Sequence, residues 1–434
     1  MTALPDPISV VPPAPGFALH VRPPGSKSLS NRALLLAALA EGTSRVRGCL
    51  HAEDTELMRG CLTALGVSID EDGDELRITG VGGPLGTTDA APDLFVGTAG
   101  TVARLLSPAI AAGCGQAQMD GTPRMRERPM GELIDGLREL GGVIAELGEP
   151  GFLPIAIGPR TEPIAGGQVR LQRPASSQFV SGLIVAAALA RGRSRIVLEQ
   201  GTPARPYVDM TLATLCAFGG EADWDGDDAI VVQPRPLTAR TFDVEPDASS
   251  ASYFLALAAI HGGTATIEGL GHASLQGDAA IGHVLARMGA QIEQTEDRTT
   301  VRGNGSLHGI EIDLSDMPDM TMTIAAAASW AQGPTTIRGV DVLRHHESDR
   351  LTATATELRK IGATVTVHDD GLTIAPPTSR RSGVVIETYR DHRMAMAMAL
   401  VGTVRIADPS CTAKTFPGYF SELAKLGMVQ LPPA

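Results

Sequence analysis

An alanine-rich apolar run that ends at a glycine recurs six times along the chain. These runs show no wide polar face, which predicts six buried helices. Their terminal glycines lie 71, 79, 70, 71 and 69 residues apart, and such a period predicts a repeat architecture. The six runs are Ala33–Gly42, Val102–Gly113, Ser181–Gly192, Tyr253–Gly262, Thr323–Gly333 and Met394–Gly402.

A second pattern, Leu-x-x-apolar-Gly, recurs in phase with the first and indicates the end of another helix in each repeat. Its leucine and apolar residue share one helical face, and glycine accepts the left-handed conformation that follows many last turns. These helices carry charges, so we expect them to face water. Stretches between the two patterns alternate Val and Ile, as in Thr264–Ile267, and predict strands. Each repeat is therefore predicted as helix, strand, helix, strand. The glycines of the second pattern are Gly66, Gly141, Gly219, Gly289, Gly362 and Gly427.

The length of the chain predicts more than one domain. It has 434 residues, whereas single cores stop growing at roughly 250–300 residues. Six repeats can pack as three plus three, and the proline-containing polar segment Gln233–Phe242 has the composition of a crossover. We expect an N-terminal domain at 23–240 and a C-terminal domain formed by 1–22 and 241–434.

Charge and cysteine usage narrow the class of protein. The formal net charge is −13, which argues against nucleic acid or an anionic membrane as partner. No apolar run reaches the roughly 18 residues of a membrane span, and the N-terminus lacks the pattern of a targeting signal. The five cysteines are scattered, with no Cys-x-x-Cys pair, and are interpreted as reduced structural thiols. We expect a cytoplasmic protein with no metal and no other cofactor.

The segments that lead into the six buried helices contain the candidate chemistry. Ser, Thr and Asp satisfy the free N–H groups of a first helical turn, and glycine lets a ligand approach the backbone. If all six starts face one cleft, each contributes a partial positive charge of roughly half a unit, and such a cleft binds anions. We interpret Asp247 and the residues after it as an ordinary cap. The segments are Pro23–Arg32, Gly97–Thr101, Pro174–Gln178, Asp247–Ala251, Pro318–Met322 and Arg390–Arg393.

Basic residues concentrate at the same edge of the repeats. A solvated face would mix charges of both signs, whereas this set is biased toward positive charge. Lys27-Ser28 lacks the Gly-x-x-x-x-Gly-Lys-Ser/Thr spacing of a nucleotide-binding phosphate loop, since no glycine immediately precedes Lys27, so a nucleotide kinase is excluded. The basic residues are Lys27, Arg32, Arg124, Arg126, Arg128, Arg350, Arg393 and Lys414.

Seven motifs in these segments resemble those of the 5-enolpyruvylshikimate-3-phosphate synthase family, in that family's order. They are Pro24-Gly-Ser-Lys-Ser-x-Ser-Asn-Arg32, Gly97-x-Ala-Gly-Thr101, Pro123-Arg-Met-x-Glu-Arg-Pro129, Ser176-Ser-Gln178, Glu347-x-Asp-Arg350, Asp391-His-Arg-Met-Ala395 and Lys414-Thr-Phe-Pro417. The resemblance implies an α/β fold of two domains, each of three repeated βαβ-type units in an inside-out α/β barrel. Helix N-termini would face a central interdomain cleft, and the first twenty or so residues would return to the C-terminal domain. We expect a monomer.

The reaction that this resemblance implies is transfer of the enolpyruvyl group of phosphoenolpyruvate to the 5-hydroxyl of shikimate 3-phosphate, with release of phosphate. Both substrates are polyanions, which suits a cleft lined by positive groups. By similarity, phosphoenolpyruvate would be held by Lys27, Gly100, Arg124, Gln178, Arg350, Arg393 and Lys414. Shikimate 3-phosphate would be held by Lys27, Ser28, Arg32, Ser176, Ser177, Gln178, Tyr207, Asp319 and His346.

Four residues are the catalytic candidates that the resemblance implies. Asp319 would take the proton of the attacking hydroxyl, and Glu347 would protonate the methylene carbon. Lys27 would lie near the transferred phosphate, and His392 would support the charge. His346 stands where the family usually has lysine, and Ala204 stands where it usually has serine.

Two alternatives stay open at this point. UDP-N-acetylglucosamine enolpyruvyl transferase shares the sixfold fold, but it usually has a cysteine on the second-repeat loop, and Gly121–Pro129 contains none. A catalytically idle paralogue could keep the fold as an anion-binding module. An assay of phosphate release with and without shikimate 3-phosphate separates these readings.

Overall fold

The computed structural model describes residues 4–86 and 91–432. In these ranges the strands are β1 (Ile8–Val10), β2 (Ala18–Val21), β3 (Glu41–Arg47), β4 (Ser68–Asp72), β5 (Glu75–Val81), β6 (Asp93–Phe95), β7 (Ala117–Asp120), β8 (Ile144–Glu146), β9 (Ile155–Ile157), β10 (Gln168–Leu171), β11 (Ser194–Leu198), β12 (Glu221–Trp224), β13 (Ala229–Gln233), β14 (Thr241–Asp243), β15 (Thr264–Glu268), β16 (Gln291–Gln294), β17 (Arg298–Arg302), β18 (Leu307–His308), β19 (Glu311–Asp313), β20 (Ala331–Gln332), β21 (Thr335–Arg338), β22 (Thr364–His368), β23 (Gly371–Ala375), β24 (Val384–Ile386) and β25 (Val404–Ile406). The α-helices are α1 (Lys27–Leu39), α2 (Glu53–Ala64), α3 (Gly100–Ala111), α4 (Pro123–Arg126), α5 (Gly131–Glu139), α6 (Ser177–Ala188), α7 (Arg205–Ala217), α8 (Ala248–His261), α9 (Ile281–Arg287), α10 (Thr321–Ala328), α11 (Arg350–Lys360), α12 (His392–Met398) and α13 (Tyr419–Lys425).

Within the described ranges, five four-stranded sheets share one arrangement. In the sheet β10-β11-β13-β12, the first two strands are parallel and the other two are antiparallel to their neighbours. The buried helix α6 connects the parallel pair, and the outer helix α7 leads into the closing hairpin. The predicted helix-strand-helix-strand unit is therefore incomplete. Each of these sheets ends in a hairpin of two strands, and the second hairpin strand pairs with the central strand.

The chain divides into two compact units, each with its own hydrophobic core. The N-terminal domain is Gly25–Val244, and the C-terminal domain combines the residues up to Pro24 with those from Glu245 onward. The predicted first domain ends at residue 240, four residues before this boundary. The difference arises because β14 pairs in parallel with β3, which keeps the chain in the N-terminal domain as far as Val244.

The N-terminal strands complete two sheets of the C-terminal domain. β1 pairs antiparallel with β25, and β2 pairs parallel with β15. At the other end of this segment, the amide of Asp247 donates to the carbonyl of Pro24 at 2.8 Å. This bond explains why Pro24 groups with the C-terminal domain, although the predicted first domain began at residue 23.

All six alanine-rich runs form helices whose side chains are mostly buried, as predicted. The N-terminal domain contains α1, α3 and α6, and the C-terminal domain contains α8, α10 and α12. In the C-terminal domain, Arg380 donates 2.6 Å bonds to the carbonyls of Ser329 and Val401, just beyond α10 and α12. A cation at two helix C-termini complements their dipoles and shows that these two ends lie together.

The second pattern predicted its caps correctly. All six of its glycines have positive φ, between +71° and +114°, where a Cβ is disfavoured. The glycines that end the alanine-rich runs behave differently. Gly262 is the C-cap of its helix, whereas the other five helices end before their glycine is reached. Throughout the described part of the chain, each helix is too short or too polar to cross a bilayer.

Candidate active site

The start of α1 in the N-terminal domain holds a lysine beside a buried carboxylate. Ser26 caps the helix by accepting from the amide of Leu29 at 3.4 Å. The Lys27 Nζ atom lies 3.2 Å from Oδ2 of Asp54, which α2 supplies. Asp54 is buried and keeps this ammonium group at the helix start, where the dipole already favours anions.

Arg32 lies one and a half turns into α1 and is buried. Its Nε donates to Thr211 Oγ1 at 2.8 Å, and its terminal nitrogens donate to Ser181 Oγ and to the carbonyls of Ser28 and Tyr207 at 3.0–3.3 Å. Burial lowers the pKa of Arg32 to about 10. The guanidinium therefore connects α1, α6 and α7, and it positions both Ser28 and Tyr207, which the sequence analysis named as ligand residues.

Gly100, the first residue of α3, lies against the buried side chain of Arg128. A Cβ at this position would lie 2.9–3.0 Å from the guanidinium atoms of Arg128. Arg128 in turn donates to the carbonyl of Thr98 at 2.8 Å, which fixes the turn before the helix. Arg124, in α4, is about one third exposed and forms a 2.8 Å ion pair with Glu127.

Gln178, in the first turn of α6, is held from two sides by α3. Arg104 donates to its Oε1 at 3.0 Å, and its Nε2 donates to Thr101 Oγ1 at 3.2 Å. Because the guanidinium can only donate, it fixes the amide with its oxygen toward α3 and leaves an N–H available for an anion. Ser176 is the N-cap of this helix and accepts from the amide of Gln178 at 3.2 Å, while the buried Ser177 is its first residue.

The C-terminal domain brings five of the predicted site residues into one ionic cluster. Asp319 accepts from Arg350 Nη1 through one oxygen and from Arg393 Nη2 through the other, each at 2.7 Å. Burial alone would raise the pKa of Asp319, but the positive charges of Arg393 and Arg350 outweigh it and hold this pKa below its usual range. Glu347 lies between Arg350, at 2.9 Å, and Lys414, at 3.6 Å.

Asp391 binds several members of this cluster and is itself fully buried. Its carboxylate accepts from Arg350 Nε at 2.8 Å and Nη2 at 3.2 Å, from Ser348 Oγ at 3.0 Å, and from the amide of Arg393 at 3.0 Å. Arg350 is 1% exposed, and burial lowers its pKa, but Asp391, Glu347 and Asp319 together raise it above its ordinary value. Arg350 therefore stays charged and is fixed by carboxylates on three sides.

His346 and His392, the two predicted site histidines, contact different carboxylates. Nδ1 of His346 lies 3.0 Å from Arg350 Nη1 and 3.7 Å from Asp319 Oδ1. Since a guanidinium only donates, Nδ1 is the acceptor in its contact with Arg350. His392 is 1% exposed beneath the start of α12, with Nδ1 3.7 Å from Asp391 Oδ1.

The start of α8 is closed by the protein's own side chains. Asp247 accepts from the amide of Ser250 at 2.7 Å, and Gln276 Oε1 accepts from the amide of Ala248 at 3.0 Å. Ser249 donates to the buried Asp278. The interpretation of Asp247 as an ordinary cap is confirmed.

The family model described as EPSP synthase (3-phosphoshikimate 1-carboxyvinyltransferase) matches residues 17–423. The chain belongs to the EPSP synthase family. A 3-phosphoshikimate 1-carboxyvinyltransferase of Thiobacillus denitrificans is 46% identical over 416 residues, which cover 94% of this chain and 96% of the relative. One of a Sulfurovum species is 44% identical over 415 residues, with the same two coverages. A solved EPSP synthase of Acinetobacter baumannii has a TM-score of 0.80 at 28% identity and covers 99% of this chain and 100% of that one.

Membership of the EPSP synthase family confirms the resemblance and the two-domain α/β fold inferred from the motifs. It makes the chain an enzyme of the carboxyvinyltransferase class and does not favour the UDP-N-acetylglucosamine alternative. That all six helix starts face one cleft, and the individual ligand roles, stay predictions.

Sequence reasoning missed three residues that position the others. Asp54, Arg104 and Asp391 were given no role, although Asp391 lay within a quoted motif. Arg104 carried a usable signal, since it is a charged residue inside the otherwise apolar run Val102–Leu106. Asp54 lies in α2, whose sequence is typical of an amphipathic surface helix. Its pattern of apolar and charged residues therefore does not indicate that the Asp54 side chain is buried.

Proposed function

We propose that this chain transfers the enolpyruvyl group of phosphoenolpyruvate to the 5-hydroxyl of shikimate 3-phosphate and releases phosphate. The observation that carries the proposal is the buried cluster in which Asp319 and Glu347 share Arg350 and are flanked by Arg393 and Lys414. It offers two carboxylates for proton transfer and three cations for a substrate with carboxylate and phosphate groups. Family membership supplies the reaction that uses them.

In the addition step, the 5-hydroxyl oxygen bonds to C2 of phosphoenolpyruvate, its proton passes to Asp319, and Glu347 protonates the methylene carbon. In the elimination step, the new methyl group returns a proton to Glu347, the C–O bond to phosphate breaks, and Asp319 passes its proton to the leaving phosphate. Lys27 stabilises the negative charge of the leaving phosphate. The buried His392, the first residue of α12, supports the same charge.

The ionic bonds of Asp319 suggest how substrate binding prepares this base. Both of its oxygens are taken by Arg350 and Arg393, which makes it a weak base. A substrate carboxylate that accepts from the same guanidinium groups would release Asp319 and raise its pKa toward the ordinary value. The base would thus become competent when phosphoenolpyruvate is present.

The remaining assignments follow the same proposal. Gly100, Arg124 and Gln178 join Lys27 around phosphoenolpyruvate, and Ser28, Arg32, Ser176, Ser177, Tyr207 and His346 serve shikimate 3-phosphate. The contacts of Arg32 support a positioning role for it, since neutral protein groups accept its bonds. A cytoplasmic monomer that needs no cofactor and binds neither nucleic acid nor membranes also stays a prediction, and the net charge of −13 favours its last part.

Phosphate release tests the proposed function. The purified chain is given phosphoenolpyruvate with shikimate 3-phosphate, with UDP-N-acetylglucosamine, or with neither. We expect phosphate only with shikimate 3-phosphate, together with a product whose mass is the sum of the substrates less phosphoric acid. Release with the nucleotide sugar would show the sister activity, and no release in any mixture would favour the idle anion-binding protein.

A further inference from the structure

Two adjacent residues just before the ionic cluster have an unfavourable backbone conformation. Tyr389 and Arg390 have φ of +56° and +57°, in the left-handed region that a Cβ disfavours. Such conformations persist where the surroundings hold them, and they cluster at functional sites. In the described ranges the non-glycine residues with positive φ are Ala204, Tyr389, Arg390 and Asp408.

Each of these positions comes shortly before a residue of the proposed site. Ala204 precedes Tyr207, and Asp408 precedes the turn that ends at Lys414. The pair at 389 and 390 directly precedes Asp391, the anchor of the ionic cluster.

A buried carboxylate clamps this left-handed turn. Glu357, in α11, accepts from the Tyr389 hydroxyl at 2.8 Å and from the amide of Glu387 at 3.0 Å. Lys360 Nζ lies 2.6 Å from the same carboxylate. Burial and the negative charge of Glu357 raise the pKa of Tyr389 to about 12, so its hydroxyl keeps the proton that it donates. Tyr389 is 42% exposed, and its hydroxyl bond to Glu357 ties the ring to α11.

The turn leads directly into the anchor of the cluster. The amide of Asp391 donates to the carbonyl of Thr388 at 2.9 Å, which closes the turn. The carboxylate of Asp391 then meets Arg350 and the amide of Arg393. A change in the backbone at 389 and 390 therefore moves the carboxylate that holds the Arg350 side chain and the backbone amide of Arg393.

Helix α11 holds the turn and the cluster at two points. Arg350 is its first residue and Glu357 lies seven positions later, about two turns along the same helical face. The first contacts Asp391, and the second contacts Tyr389. The helix thereby fixes the segment on both sides of the left-handed pair.

We infer that the left-handed turn at Tyr389 and Arg390, clamped by Glu357, is a positioning device that sets Arg350 and Arg393 for phosphoenolpyruvate. Tyr389 and Glu357 are then positioning residues, which act through Asp391. This inference rests on the proposed function, because it assigns phosphoenolpyruvate to the two arginines.

Two substitutions of the exposed Arg390 isolate the effect of backbone conformation, because both remove the arginine side chain. Arg390→Gly accepts the left-handed conformation, whereas the β-branched side chain of Arg390→Val opposes it. We expect KM for phosphoenolpyruvate to stay within about twofold in Arg390→Gly and to rise roughly tenfold in Arg390→Val, with a smaller change in KM for shikimate 3-phosphate. A merely structural defect would reduce the active fraction, which lowers kcat and leaves both KM values unchanged.

Tyr389→Phe tests the clamp, because it removes the hydroxyl that Glu357 accepts and keeps the ring. We expect KM for phosphoenolpyruvate to rise several-fold, in the same direction as in Arg390→Val. Circular dichroism and Tm confirm that each variant is folded. Folded Arg390→Val and Tyr389→Phe with wild-type KM values would overturn the inference, as would an equal rise in Arg390→Gly, which would point to the arginine side chain.

The failure of this inference is distinguishable from failure of the proposed function. Wild-type protein that releases no phosphate would overturn the function. The turn would then be judged by the shift in Tm that phosphoenolpyruvate causes, which should be smaller in Arg390→Val than in Arg390→Gly. Equal shifts in the two variants would overturn the positioning role.

Discussion

Arg350 and Asp391 form a two-pronged ion pair in which both side chains are almost fully buried, with bonds of 2.8 and 3.2 Å. Forty-one positions separate them in the chain, yet this pair holds the start of α11 against the start of α12. Asp319 and Glu347 both contact Arg350, Arg393 contacts Asp319, and Lys414 contacts Glu347.

Asp391→Asn should destabilise the protein markedly. Removing one charge of a buried ion pair leaves Arg350 undercompensated, so we expect the free energy of unfolding at pH 7 to fall by about 2–4 kcal/mol. Urea denaturation measures this. Glu311→Gln is the matched control, since its pair with Arg338 is exposed and its loss should cost less than about 1 kcal/mol. Equal effects of the two substitutions would contradict the assignment.

The stabilising contribution of Asp319 should depend on pH. Its pKa lies below the ordinary 3.8 in the folded state, so the unfolded chain binds the proton more readily. The stabilisation is then fully present above the unfolded pKa and is lost as pH falls through the folded value. We expect the difference in unfolding free energy between wild type and Asp319→Asn to be largest at neutral pH and to shrink below about pH 5.

Urea titrations of wild type and Asp319→Asn at several pH values between 7 and 3 check this sign. Asp243→Asn is the control, since this carboxylate is 77% exposed and lies 4.0 Å from Arg47. A difference for Asp319→Asn that grows as pH falls would refute the assigned direction.

Gly100→Ala should weaken phosphoenolpyruvate binding. The new methyl group would lie 2.9–3.0 Å from the Arg128 guanidinium, which must move and would loosen its bond to Thr98. We expect KM for phosphoenolpyruvate to rise roughly tenfold, with a smaller change in kcat. Gly60→Ala provides the control, because its Cβ enters open space on α2 and should leave the kinetics unchanged. Unaltered kinetics in Gly100→Ala would show that Arg128 adapts without cost.

Arg104→Leu should release the side chain of Gln178. The amide would lose the donor that fixes its oxygen, so the N–H that is not donated to Thr101 would no longer be held toward the anion. We expect KM for phosphoenolpyruvate to rise roughly tenfold in steady-state assays. Ser107→Ala lies on the same helix and removes one local bond to Ala103, and its KM should match wild type. If both variants behave alike, Arg104 does not orient Gln178.

Repeat-level features of this fold could be predicted because they are local. The six buried helices and the six left-handed glycines depend on apolar spacing and on backbone conformation within a single helix, which the chain displays directly. The hairpins were missed because their second strands are recognisable only by pairing with a central strand of the sheet. The same reason explains the boundary, since β14 belongs to the first domain through its partner β3.

The residues of the candidate site also divide into those that local sequence predicts and those that only tertiary contacts reveal. The sequence by itself determined which residue types precede the buried helices, and motif order was enough to indicate the family and its chemistry. Tertiary structure alone decided which groups are paired. Asp319 contacts Arg393 across 74 positions, and Glu357 supports a turn 32 residues away. Pairing over such distances depends on how helices pack, and no local pattern encodes which buried carboxylate will face which guanidinium group.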